Sequence, residues 1–318
     1  MAETPLATGQ SGIQQRFATA LDALVEQVKR DRSILAALLC GSLSHDTVWE
    51  KSDIDLILIT IDEKQIHEGG LSLYAAGINV HASLMSRAEF RKTAEGAVRN
   101  SFIHSLMAKG RLLYTHDESI AGLCDRLRVL GDRDTRRQLL AAASHAIPCL
   151  YKAHKWLITR GDLEYTALWI LHTVNELAKV ELLEAGLLVD REALPRALEL
   201  NPAFFELTYT GLLNRKKTNA SVRAALSAVD DYLLKRASTV FAPVIGHLEE
   251  VGEARSATEI ENHFQRDFGI GGVGGVCEYL ADRGLIGKAS IPVRLTKRSN
   301  TNVQELAFFR GTGLPDAR

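Results

Sequence analysis

A chain of 318 residues, 46% of them hydrophobic, holds material for two or three domains at ~100–200 residues each. Its 38 basic and 39 acidic residues leave a net charge of −1. That balance excludes a chain-wide basic footprint for nucleic acid and leaves only local patches to be informative. Cys40, Cys124, Cys149 and Cys277 form no C-x-x-C pair, which excludes a zinc ribbon and a disulfide framework.

The elements follow in chain order. The opening segment, MAETPLATGQSG, lacks the basic-then-apolar pattern of a signal peptide. Over 12–30, Ile13, Phe17, Ala20, Leu21, Leu24, Val25 and Val28 recur at helical spacing. The apolar run Ile34 to Cys40 stops at Gly41 and predicts a buried strand. Ser42 to Lys51 is polar, a loop or helical turn. Asp53 to Ile61 predicts a second strand, apolar beyond its carboxylates. The charged stretch Asp62 to Gly70 predicts a turn. Ile78 to Leu84 alternates with period 2, Ile78, Val80 and Ala82 against Asn79, His81 and Ser83, and predicts a third strand. Ser86 with Glu89 three residues on predicts a capped helix start. Gly110 to Tyr114 predicts a last short strand.

From Asp132 to about Glu250 the periodicity is helical. Helices are expected near 133–159, 162–185, 191–199, 202–213 and 219–246, with Pro148 kinking the first. From Ser256 the order changes to helix, Gly-rich turn (269–275), helix from about Val276 to Arg283, and two strand-like runs, Ile291 to Thr296 and Val303 to Arg310. Helix, turn, helix, hairpin is the order of a winged helix. The Gly-rich turn lacks the G-x-x-x-x-G-K pattern and is not a phosphate loop. No run is long enough to span a bilayer. A cytoplasmic protein with reduced thiols and no membrane partner is expected.

The chemistry concentrates at Gly41-Ser42 and Asp53-Ile54-Asp55. Residues two apart on a strand share a face, so both carboxylates point the same way. Held close they repel, and a divalent cation resolves the repulsion. Magnesium takes oxygen ligands and leaves room for phosphates. Gly41 lets backbone approach a triphosphate, and Ser42 offers a hydroxyl and nearby amides.

Strand, Gly-Ser, spacer and Asp-x-Asp on the next strand resemble the DNA polymerase β superfamily of nucleotidyltransferases, over about residues 10–125. The resemblance implies transfer of a nucleoside monophosphate from a nucleoside triphosphate to an acceptor hydroxyl on a small molecule, a protein or tRNA. Gly41, Ser42, Asp53 and Asp55 would bind nucleotide, and Asp53 and Asp55 would be catalytic and hold metal, magnesium or manganese. The family places a third acid on a neighbouring strand, and here that position falls on His81, beside Asn79 and Ser83. Imidazole would be the third ligand, or Asp46 or Glu50 would substitute, or catalysis would be lost. A catalytic domain followed by a helical bundle also resembles kanamycin-type aminoglycoside nucleotidyltransferases. The fold class expected is α+β, in three parts. Residues 1–128 form a nucleotidyltransferase domain with a small mixed sheet and flanking helices, 129–250 an acceptor-binding or covering helical bundle, and 251–318 a winged-helix-like domain.

Two further sets of residues attract notice. Trp169, His172 and Glu176 share a helix face, where a glutamate could deprotonate an acceptor or merely sit in a helix seam. Residues 287–310 carry Lys288, Arg294, Lys297, Arg298 and Arg310 against Glu305, a wing that could contact nucleic-acid phosphates. The helix before it has one basic residue, Arg283, which suits major-groove reading poorly. Other functions remain open: a degenerate nucleotide-sensing regulator with a DNA- or partner-binding winged helix, or an antitoxin-like interaction protein.

Overall fold

The structure, a computed structural model, describes residues 5–45, 48–62, 70–96, 107, 110–127, 132–189, 192–300 and 302–311. They fall into two compact units, Met1–Leu130 and Gly131–Arg318. The first contains α1 (Pro5–Val28), β1 (Ile34–Cys40), a 3-10 turn (Ser42–His45), β2 (Ile54–Thr60), β3 (Gly70–Ala75), β4 (Ile78–Ser86), α2 (Arg87–Gly96), β5 (Arg111–Thr115) and α3 (Glu118–Leu127). The five strands lie in the order β3-β4-β2-β1-β5. β2 pairs with β4 in parallel and the other pairs are antiparallel, so the sheet is mixed, as the sequence suggested.

Burial explains the strand patterns. Ala36 through Cys40 are all buried, because β1 is interior to the sheet and covered on both faces, which a continuous apolar run allows. Phe17, Leu21 and Leu24 of α1 pack on Ala37, Leu39, Ile54, Leu56, Ile78 and Val80. β4 buries Ile78, Val80 and Ala82 on that side and exposes Asn79, His81 and Ser83 on the other. Ser86 and Glu89 form the expected reciprocal cap of α2: the Ser86 amide donates to Glu89 Oε2 at 2.8 Å, and the Glu89 amide donates to Ser86 Oγ at 3.2 Å.

One strand was not expected. β3 forms a hairpin with β4 through Ala76 and Gly77, whose φ values are 46° and 82°. Two positive φ values in a two-residue loop match the twist of the flanking strands. Of the stretch expected to turn after Asp62, residues 63–69 lie outside the described residues.

The second unit contains α4 (Asp132–Arg160), α5 (Leu163–Glu184), α6 (Ala193–Leu200), α7 (Pro202–Phe205), a π turn (Glu206–Thr210), α8 (Gly211–Asn214), α9 (Asn219–Lys235), α10 (Ala237–Val240), α11 (Ala242–Val251), β6 (Arg255–Ser256), α12 (Ala257–Phe268), α13 (Val273–Asp282), β7 (Gly287–Arg294) and β8 (Asn302–Phe309). α4 runs unbroken through Pro148. The single helix expected over 219–246 is three, interrupted at Arg236 and Phe241. Pro243 sits in the first turn of α11, where its missing N–H costs nothing and its ring clashes with no preceding turn.

The tail shares the core of the helices before it. Phe264, Val276, Cys277, Leu280 and Phe308 belong to the same buried cluster as Leu150, Leu177 and Phe241. Polar contacts reinforce the join: Arg137 Nε donates to the Phe268 carbonyl at 2.8 Å and Tyr151 Oη to Asp282 Oδ2 at 3.2 Å. The boundary expected at 250 therefore falls inside one compact unit. The Gly-rich turn is closed by Glu261, whose carboxylate accepts the Gly272 amide at 2.6 Å and the Gly274 amide at 3.0 Å. Those amides are occupied from within the chain.

Candidate active site

The site is built where β1 ends and β2 begins. The chain leaves β1 at Cys40, turns at Gly41 with φ 67°, and enters the 3-10 turn. Ser44 closes that turn: its amide and its hydroxyl both donate to the Gly41 carbonyl, at 3.1 and 2.7 Å. A second tight turn precedes β2. The Ser52 amide donates to the Trp49 carbonyl at 2.9 Å and the Trp49 amide to Ser52 Oγ at 3.0 Å. Asp53 is the first residue after it.

The antiparallel register pairs Cys40 with Asp55, which brings Gly41 against the Asp55 side chain. A Cβ at Gly41 would collide with Asp55 Oδ2 and stand 3.1 Å from Asp55 Cγ. Glycine is required here twice, for the positive φ and for the space the carboxylate occupies. Gly110 has a similar role at the other side of β1, where a Cβ would lie 2.9 Å from the Met107 carbonyl oxygen.

The parallel register pairs Asp55 with His81. His81 Nδ1 lies 3.0 Å from Asp53 Oδ2 and 3.8 Å from Asp55 Oδ1. One donor atom from each of Asp53, Asp55 and His81 falls within 4.8 Å of the others, an arrangement able to hold a metal ion. The three side chains are 42%, 39% and 56% exposed, so an ion there would keep open positions for substrate oxygens. The negative field reaches the end of β1: burial first, then Asp55 and Cys124, push the Cys40 thiol up to about 12. Cys40 is thus a protonated, packed thiol and no nucleophile.

Of the alternatives to His81, Asp46 lies outside the described residues, as does the side chain of Ser42. Glu50 is exposed and is not in the cluster. Asn79 and Ser83 flank His81 on the exposed face of β4. The unexpected β3 adds Ser72, in register with His81, and Tyr74, in register with Asn79 and 75% exposed. The alternation Leu71, Leu73, Ala75 against Ser72 and Tyr74, followed by a glycine turn, was the signal for that strand.

In the second unit, Glu176 is not a free base. It accepts Lys179 Nζ at 2.7 and 2.9 Å and stands 3.6 Å from His145 Nδ1. Trp169 lies beneath the Lys152 ammonium, 4.2 Å from its ring centroid, and 5.3 Å from the His172 ring. In the wing, Lys288 pairs with Asp282 at 3.8 Å and Arg310 with Glu249 at 2.6 Å. Arg294, Lys297 and Arg298 stay exposed around the β7–β8 turn, next to Leu295 at 73% exposure. Arg283, the one basic residue of the helix expected at 276–283, turns inward onto Asp230 and stacks over Tyr279. Within its bounds α13 carries Glu278 and Asp282 and no base.

Residues 22–119 match the family described as Polymerase beta, Nucleotidyltransferase. Among solved structures, a nucleotidyltransferase-like protein from Exiguobacterium sibiricum 255-15 resembles this chain with a TM-score of 0.60. The identity is 14%, over 92% of this chain and 98% of that one, a likeness that shows the fold. No curated protein matches. Among the described residues no helix is long and apolar enough to cross a membrane.

Proposed function

We propose that this chain, whose residues 22–119 are a nucleotidyltransferase domain of the polymerase β type, transfers a nucleoside monophosphate from a nucleoside triphosphate to an acceptor hydroxyl. The observation that carries the reading is the convergence of Asp53 and Asp55, from the start of β2, with Gly41 packed against Asp55. Asp53, Asp55 and His81 would hold a divalent cation, magnesium or manganese. Such an ion would offset the charge of the triphosphate and the negative charge developing on its oxygens. Asp53 and Asp55 would orient it, and the Gly41–Ser42 turn beside Asp55 would meet the phosphates. The acceptor hydroxyl gives up its proton to water as its oxygen forms a bond to the α-phosphorus, the bond from that phosphorus to the bridging oxygen breaks, and pyrophosphate leaves.

In this reading residues 1–128 do the chemistry, 129–250 select the acceptor, and 251–318, a winged-helix-like module, meet a partner. Arg294, Lys297 and Arg298 would place any nucleic-acid contact on the hairpin rather than on α13. The four cysteines, none of them in a disulfide, agree with a cytoplasmic setting. A second reading, a nucleotide-sensing regulator without turnover, draws on His81 standing where a third carboxylate would.

The test is incubation of the full chain with each of the four common nucleoside triphosphates, magnesium or manganese, and a pool of metabolites and tRNA. Pyrophosphate release that Asp53→Asn abolishes supports the transferase. Binding of nucleotide without pyrophosphate release in any combination overturns it in favour of the regulator.

A further inference from the structure

His81 changes which ion the site can prefer. An all-carboxylate cluster is a hard, trianionic cage. Here two carboxylates meet one imidazole, and the imidazole atom nearest both is the ring nitrogen Nδ1. Two ligands at right angles on bonds of ~2.1 Å stand ~3 Å apart. The Nδ1 distance of 3.0 Å to Asp53 Oδ2 therefore suits adjacent positions around a single ion, and Asp55 Oδ1, 3.8 Å from Nδ1, lies near enough to share it. Two carboxylates and a neutral ring carry two negative charges, which one divalent cation cancels.

We propose that Asp53, Asp55 and His81 select a first-row transition ion, with manganese as the working case, over magnesium, and that the His81 nitrogen is the selecting ligand. The inference rests on the reading of Asp53 and Asp55 as metal ligands. Magnesium dehydrates reluctantly and takes oxygen almost exclusively. Exchanging one of its waters for a nitrogen gains it little. Divalent manganese tolerates an imidazole among carboxylates better than magnesium does, and affinity for a mixed site rises from manganese to cobalt and zinc. The strand register makes the preference a built feature. His81 is pinned opposite Asp55 by the β2–β4 ladder and opposite Ser72 by the β3–β4 hairpin. Its ring approaches the carboxylates from a fixed backbone position.

The experiment uses the full-length chain without nucleotide. Manganese binding is followed by loss of the free-ion EPR signal, magnesium is titrated as competitor, and pulsed EPR of the bound ion reads coupling to 14N. The wild type is expected to hold manganese against a large excess of magnesium and to show nitrogen coupling. His81→Ala should lose the coupling and at least ~10–100-fold in manganese affinity, the range that even groups one layer beyond the ligands command. His81→Asp, checked for fold by circular dichroism, should lose the coupling, keep an ion, and shift the manganese-to-magnesium ratio towards magnesium. Bound manganese without nitrogen coupling, or the same ratio in wild type and His81→Asp, overturns the proposal and leaves the carboxylate site standing. If neither ion binds, both the proposal and the ligand reading fail. The readouts need no acceptor, so a failure to find transfer does not affect them.

Discussion

Gly41→Ala probes the tightest joint of the site. The substitution acts in two separable ways. Alanine at φ 67° is strained by ~1–2 kcal/mol relative to glycine. At roughly 2–8 °C per kcal/mol, across the range for domains of this size, that lowers the melting temperature of the N-terminal unit by several degrees. The new methyl also occupies the place of Asp55 Oδ2. The carboxylate must retreat by ~1 Å to restore ordinary contact, and a misplacement of that size in a reacting assembly can cost ~100-fold in rate. Gly77→Ala is the control. Its φ of 82° imposes comparable strain, yet nothing lies within 4 Å of the added Cβ. Melting curves and manganese titrations of both variants separate the effects. Both should melt lower, and only Gly41→Ala should lose metal. Equal metal affinity in Gly41→Ala and Gly77→Ala would refute the claim that Gly41 sets the position of Asp55.

Asp53→Asn and Asp55→Asn should each abolish metal-dependent binding of a non-hydrolysable triphosphate in calorimetry while the fold is kept, since both side chains are about two-fifths exposed; unchanged affinity in both would remove the catalytic reading. Replacing Lys297 and Arg298 with Glu should flatten the salt dependence of nucleic-acid binding by about two contacts at ~0.9 each; a wild type with no salt-dependent binding would leave the hairpin a structural element. The third expectation concerns His247, whose ring stacks on His263 at 4.0 Å. Burial first, then His263 and Arg255, hold its pKa below the ordinary 6.5, against Glu250 and Asp267. The unfolded chain takes up this proton at higher pH than the folded one. The stability of the C-terminal unit should therefore be full above 6.5 and fall as the pH drops through it. His247→Phe should flatten the slope of melting temperature between pH 7 and 5, and an unaltered slope would show that the pair does not titrate with unfolding.

How much of this was legible in the sequence depends on the range of the interaction. The strands around Gly41 and Asp53 were readable because their apolar runs are local and end at glycine and aspartate. His81 was readable as the odd member of the cluster because β4 alternates so regularly that its face follows from counting. β3 was missed: its alternation is short, and the turn that makes it a hairpin, Ala76-Gly77, begins with a residue that rarely adopts positive φ. Helix 219–246 was read as one because helical periodicity continues across Arg236 and Phe241, and only Pro243 betrays the restart. The occupancy of charged side chains was not legible at all. Arg283 turned onto Asp230, Glu176 clasped by Lys179, and Glu261 on the glycine amides are decided by neighbours distant in sequence or by rotamer, which charge counts do not carry.

The central claim is that the N-terminal domain moves the α-phosphate with its nucleoside and discards the other two phosphates. The direct measurement labels the same nucleoside triphosphate in two ways, at the α-phosphorus and at the γ-phosphorus, and follows both with manganese and the acceptor pool. The α label should appear on an acceptor, the γ label only in pyrophosphate, and both signals should vanish in Asp53→Asn. A γ label on the acceptor, or release of either label that survives Asp53→Asn, would contradict it.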